Sequence, residues 1–277
     1  MGRVPPAFER LTLHPGAWFA WVLGAGVIAI ATTNPFYLLP LFLAAWAVHS
    51  RKKVDGPAAH SFRTFAIFAA ATVVLRTCLV VFSPPVSWSG VAYASLEGLR
   101  LAVLLVLFGT FNSITDPFRV LRLAPRRWHE PALAAALALA IAPRTMEAAS
   151  KVRESQRLRG IEIKSWRTLP ALAVPVLATG MEDAVTLAES MDARGHGRGR
   201  RTRYRPDRFG RAAAATVALA VAAAATVVVL ALRGAGALSV STYPLRWPGA
   251  EVLPMLAALS FAAAAWLPAD PIERRVA

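Results

Sequence analysis

Long stretches of this chain carry almost no charge, and few folds accept them. Val221 to Leu232 reads VAAAATVVVLAL, and Leu101 to Phe111 reads LAVLLVLFGTF. Segments like these read as membrane spans rather than as the core of a soluble domain. The composition agrees: 56% of the 277 residues are hydrophobic and the mean hydropathy is +0.47, above the usual soluble share. The expected class is all-α, a polytopic membrane protein. The single cysteine, Cys78, excludes an internal disulfide framework and a cysteine-rich metal site. It reads as a small packing residue within a span.

The charge is unevenly placed. The chain holds 31 Lys+Arg against 16 Asp+Glu, a net charge of +15. Such a balance first suggests nucleic acid. Here the basic residues crowd into some loops and are nearly absent from others, which is the signature of loops retained on the cytoplasmic side. About six spans are expected: Gly16 to Thr32, Pro35 to His49, Thr64 to Phe82, Leu99 to Ile114, Ala212 to Leu232 and Ala250 to Leu267. The first reads as a retained span rather than a cleaved signal peptide. Arg51-Lys52-Lys53 marks the cytoplasm. Ser83 to Leu96, with Pro84-Pro85 and no basic residue, reads as an external loop. This map divides the chain into spans one to four (1–115), a cytoplasmic coupling region (116–210) and spans five and six (211–277). Both termini fall on the cytoplasmic side of a cell membrane. Within the middle region, Ala132 to Ala142 and Leu169 to Thr179 are apolar but short, so they read as buried or interfacial segments.

Each of those short segments runs into one copy of a repeated stretch. Met146 to Gly160 reads MEAASKVRESQRLRG, and Met181 to Gly195 reads MEDAVTLAESMDARG. They share Met, Glu, Ala, Glu, Ser, Arg and Gly without a gap, where unrelated segments would share roughly one or two positions, so the stretch is an internal duplication. Both copies are amphipathic at helical spacing. The apolar face of the first holds Met146, Ala149 and Val152. That of the second holds Met181, Ala184, Val185, Ala188 and Met191. Each ends in Arg-Gly, with glycine suited to the C-terminal cap and arginine to the negative end of the helix dipole. Ordinary helix termination would explain one such end. Two matched copies point to a partner that offers one socket twice.

The paired Arg-Gly-ended helices resemble those of the T component of energy-coupling factor transporters, which carries two coupling helices ending in Ala-Arg-Gly. Ala193-Arg194-Gly195 matches that motif in full, while Leu158-Arg159-Gly160 departs at its first position. The resemblance is strong over Arg144 to Gly195. It implies a scaffold that joins two cytoplasmic ATPase subunits to a small membrane S component for import of a vitamin or metal ion. It also implies that Arg159 and Arg194 meet acidic residues of the ATPases, and that the apolar faces pack on each other or on the S component. No cofactor is implied.

Other chemistry finds no support in the sequence. There is no phosphate-binding G-x-x-x-x-G-K-[ST] loop and no hydrolase signature. The five histidines are scattered without metal-ligand spacing. The arginine run from Arg198 to Arg208 reads as positive-inside retention and contact with anionic lipid, not nucleic-acid binding. Two alternatives have other signatures. An ordinary ABC permease offers one docking helix per chain, and a membrane-embedded lipid-modifying enzyme needs an array of aspartates. Arg76 interrupts the third span. It reads as snorkelling to the outer surface, with Glu97 as a candidate mate.

Overall fold

The computed structural model describes residues 13–52, 57–82, 87–161, 168–196, 209–234, 238, 240 and 249–267. Among them all regular structure is helical: α1 (Pro15–Ala31), α2 (Pro35–Lys52), α3 (Pro57–Val81), α4 (Trp88–Ile114), α5 (Pro117–Leu121), α6 (His129–Leu158), α7 (Pro170–Ala193), α8 (Arg211–Leu232) and α9 (Val252–Ser260), with a 3₁₀ turn continuing over Phe261–Ala265. The chain forms two compact units, residues 124–206 and the remainder. It is a polytopic membrane protein. Five helices are long and apolar enough to cross a bilayer: α3 from Ser61, α4, α6, α7 and α8.

The larger unit is built around α1, α2, α4, α8 and α9. Trp18, Trp21, Ile28, Tyr37, Leu38, Leu41, Val106, Leu107, Val227 and Phe261 fill its centre. Close helix approach depends on small residues, as between membrane helices generally. A Cβ on Gly24 would sit 2.9 Å from the Ala220 carbonyl oxygen of α8, and one on Gly109 would sit 2.7 Å from Cβ of Phe65 on α3. The break between α1 and α2 is a polar hub. Asn34 Oδ1 accepts from the Phe36 amide (3.0 Å) and starts α2, while its Nδ2 donates to the Gly249 carbonyl (2.7 Å). Thr32 donates to the Leu238 carbonyl (2.7 Å), and the Tyr37 hydroxyl accepts from the Glu251 amide (2.9 Å). Buried backbone groups away from water need such partners, so this hub ties the start of α9 to α2. At the other end of α2, Lys52 donates to the Leu267 carbonyl (2.8 Å), and the Arg51 guanidinium lies 4.3 Å over the Trp266 ring.

Two sequence expectations are corrected. The fourth span begins at Trp88, not near Leu99, so residues 88–96 are helix rather than loop. Ser87 caps it by accepting from the Gly90 amide (3.1 Å), and its face is pressed against α3 through Gly98. The apolar segments 132–142 and 169–179 are not short independent pieces either. α6 runs unbroken from His129 to Leu158 and α7 from Pro170 to Ala193, each fusing an apolar half with an amphipathic copy. Pro143 and Pro175 sit inside these helices. Neither α6 nor α7 contains a buried residue, so the apolar halves are not a local core. The basic run Arg198 to Arg208, Lys53 and the tail with Arg274 and Arg275 lie outside the described residues.

Candidate functional site

The two copies end in the same backbone geometry. In α6, Arg159 is the cap residue, and Gly160 turns left-handed at φ 77°. The Gly160 amide donates to the Arg157 carbonyl (3.0 Å) and the Ile161 amide to the Gln156 carbonyl (2.9 Å). In α7, Arg194 caps, Gly195 has φ 75°, and the Gly195 and His196 amides donate to the Asp192 (2.8 Å) and Met191 (3.0 Å) carbonyls. Both are complete Schellman motifs. A Cβ at either glycine would meet nothing within 4 Å. The backbone angle alone therefore demands glycine, since a left-handed L-residue costs roughly 1–2 kcal/mol.

This termination leaves both ends exposed. Leu158 is 86% exposed, and Arg159, Gly160, Ala193, Arg194 and Gly195 are all exposed. Among the described residues neither Arg159 nor Arg194 forms an ion pair; the pairs present join Arg76 and Arg100 to Glu97. No carboxylate among the described residues pairs with either arginine. The family described as CbiQ, cobalt transport protein, matches residues 12–204, a stretch that includes both helix ends. The chain belongs to the CbiQ family.

Two relatives of this CbiQ-family chain carry the same description, energy-coupling factor transporter transmembrane protein EcfT. The protein from Lacticaseibacillus paracasei is 28% identical over 154 residues, covering 53% of this chain and 53% of that protein. The protein from Listeria innocua serovar 6a is 34% identical over 101 residues, covering 34% of this chain and 37% of that protein. The chain thus spans about half the length of the first relative and less of the second.

The remaining site residues are placed less uniformly. α6 and α7 pack on one another, and Gln156 Nε2 donates to the Ala171 carbonyl (3.3 Å), joining the end of α6 to the start of α7. Ala149, Val152 and Met191 are half-buried, whereas Met146 (75%), Met181 (70%), Ala184, Val185 and Ala188 are exposed. The hairpin therefore leaves most of the apolar face of the second copy uncovered. Gln156 escaped the sequence reading because it is polar at the position where the second copy has Met191. A third Arg-Gly end escaped it too. Leu232-Arg233-Gly234 closes α8, with Gly234 at φ 70° and its amide donating to the Ala231 carbonyl (3.0 Å). No amphipathic copy precedes it, so the tripeptide alone is helix-ending chemistry. The two copies also differ in charge: +2 over Met146 to Gly160, −3 over Met181 to Gly195. No group of His, Cys, Asp or Glu suited to a metal ion occurs among the described residues.

Proposed function

We propose that this CbiQ-family chain is the transmembrane scaffold of an energy-coupling factor uptake transporter. In this reading α6 and α7 are its coupling helices. Their Arg-Gly ends dock into two cytoplasmic ATPase subunits, and Arg159 and Arg194 supply charge-assisted anchors to acidic residues there. The apolar halves and exposed apolar faces support a small membrane S component that captures a vitamin or a metal ion. The basic loops and both termini lie on the cytoplasmic side. The chain itself is not an enzyme. The observation that carries this reading is the pair of matched helices, both closed by a Schellman turn directly after an exposed arginine that forms no ion pair among the described residues. An ordinary permease would use one docking helix per chain and work as a dimer of itself.

Co-purification of the full-length chain from its native membrane separates these readings. The scaffold brings down two ATPase subunits and a small integral membrane protein per chain, and the purified chain alone neither hydrolyses ATP nor binds a vitamin or metal ion at micromolar concentration. Two copies of this chain with two ATPases would instead make it a permease, and a complex without ATPase would remove the transport reading.

A further inference from the structure

Arg76 stands on α3 five residues before Val81 ends the helix. At 1.5 Å per residue its Cα lies about 7 or 8 Å short of that end. Phe82 and Trp88 are strongly exposed at the α3–α4 turn, where aromatic residues mark a membrane boundary. Beside Arg76 on the helix surface, Val74, Leu75 and Leu79 are all exposed and apolar, as lipid-facing residues are. A guanidinium in that position needs an anion.

Glu97 on α4 supplies part of one. Its Oε1 accepts from Arg100 Nη1 at 3.2 Å, while its Oε2 lies 3.7 Å from Arg76 Nη2, an ion pair longer than a hydrogen bond. The rest of Arg100 is engaged elsewhere: Nε donates to the Ala29 carbonyl (3.2 Å) and Nη2 to the Ile30 carbonyl, at the C-terminal end of α1. So Arg100 holds Glu97 and caps α1 at once. The cluster contains two cations and one anion, and its surplus charge falls on the more exposed member. The Arg76 side chain is 47% exposed, against 25% for Arg100 and 15% for Glu97. Neither residues 83–86 nor residues 235–248 include an Asp or Glu. Besides Glu97, the described carboxylate at this end is Glu251, at the start of α9 beside Tyr37.

We infer that Arg76 binds the phosphate of a membrane lipid, in the leaflet at the end of the bundle where α1 ends and α4 begins, with Glu97 and Arg100 as the positioning pair. The planar guanidinium matches a phosphate with two parallel N–H donors. Its length lets it rise from an apolar helix surface to the headgroup layer. Glu97 steers one edge of it without neutralising it, because Arg100 takes the closer share of that carboxylate. Retaining Glu97 keeps the guanidinium against α4 and leaves its other N–H groups turned to the bilayer.

The test is native mass spectrometry of the full-length protein, stripped of lipid in detergent and titrated with dioleoyl phosphatidylglycerol. The wild type is expected to retain one lipid more tightly than any further ones. Arg76→Gln should weaken that first binding by about tenfold, the effect of losing one charge-assisted contact, and Arg76→Lys by less. Dioleoylglycerol, which lacks the phosphate, should bind both proteins alike. Arg76→Gln should keep its thermal midpoint in the stripped protein, since the Glu97–Arg100 pair remains. Equal phosphatidylglycerol titrations for wild type and Arg76→Gln would overturn the assignment. So would displacement of the lipid by millimolar inorganic phosphate, which would make this a site for the free anion. A lower midpoint for stripped Arg76→Gln would make the residue a strut of the fold. Loss of a membrane protein partner with unchanged lipid binding would reassign Arg76 to that partner.

Discussion

The double variant Arg159→Glu/Arg194→Glu is expected to lose stable assembly with the ATPases. Both arginines are exposed and make no ion pair among the described residues. Both helix ends are closed by backbone hydrogen bonds that do not involve the arginine side chains. Charge reversal therefore leaves the fold intact and acts at the proposed interface. Reversing one cation that meets a carboxylate in a water-excluded socket costs about 2–5 kcal/mol, much of it from the partner charge left unpaired. Each single variant should then weaken assembly by tens to thousands of times at about 1.4 kcal/mol per tenfold, and the double should exceed either. Lysine at both positions should fall between, because it keeps the charge and loses the bidentate fork. Pull-down yield and uptake in reconstituted vesicles are the readouts, with circular dichroism as the check on folding. Wild-type yield and uptake from the double variant would show that these arginines anchor nothing.

The second large effect lies at Glu97. This carboxylate serves Arg76 on α3 and Arg100 on α4, and Arg100 in turn holds the last carbonyls of α1. Glu97→Gln leaves two guanidinium groups close together at the edge of the bilayer with no anion from the chain between them. Removing one partner of a buried pair costs about 3–5 kcal/mol. The lower end applies here, because Arg76 is half exposed and exposed pairs count for little. The thermal midpoint in detergent should fall by several degrees. Adding Arg76→Gln to Glu97→Gln should restore part of the loss, since one of the two repelling cations is gone. An unchanged midpoint in Glu97→Gln would mean that the three helices are held together without this cluster.

Much of this was legible in the sequence. Charge-free runs located the helices, and the matched Arg-Gly ends located the paired Schellman turns, because glycine at a left-handed position is a local requirement. Glu97 was visible as a mate for Arg76. What could not be read was set by distant parts of the chain. Ser87, Ser89, Ser95 and Glu97 make the start of α4 look like a loop, yet α3 packs against it and Gly98 lets it approach. Pro143 and Pro175 look like helix ends, since an interior proline removes one hydrogen bond and crowds the preceding turn, but both helices continue through them. The link from Arg100 to the carbonyls of α1 joins residues about 70 positions apart, and no local pattern announces it. The third Arg-Gly end at Arg233 was overlooked for the opposite reason: the local signal was there, without the amphipathic helix that gave the other two their meaning.

The absence of any buried residue in α6 and α7 bears on the life of the protein in a cell. If the proposed assembly is right, a newly made chain on its own displays two long, partly apolar helices of the sort that membrane quality-control proteases take as a sign of an orphan. Partners that cover the hairpin would erase that sign. The abundance of this protein would then track the supply of its partners, with no need for matched synthesis of each subunit. Pulse-chase labelling should show a short half-life for the chain expressed alone and a long one when the whole complex is made; equal half-lives would mean that the uncovered hairpin escapes surveillance.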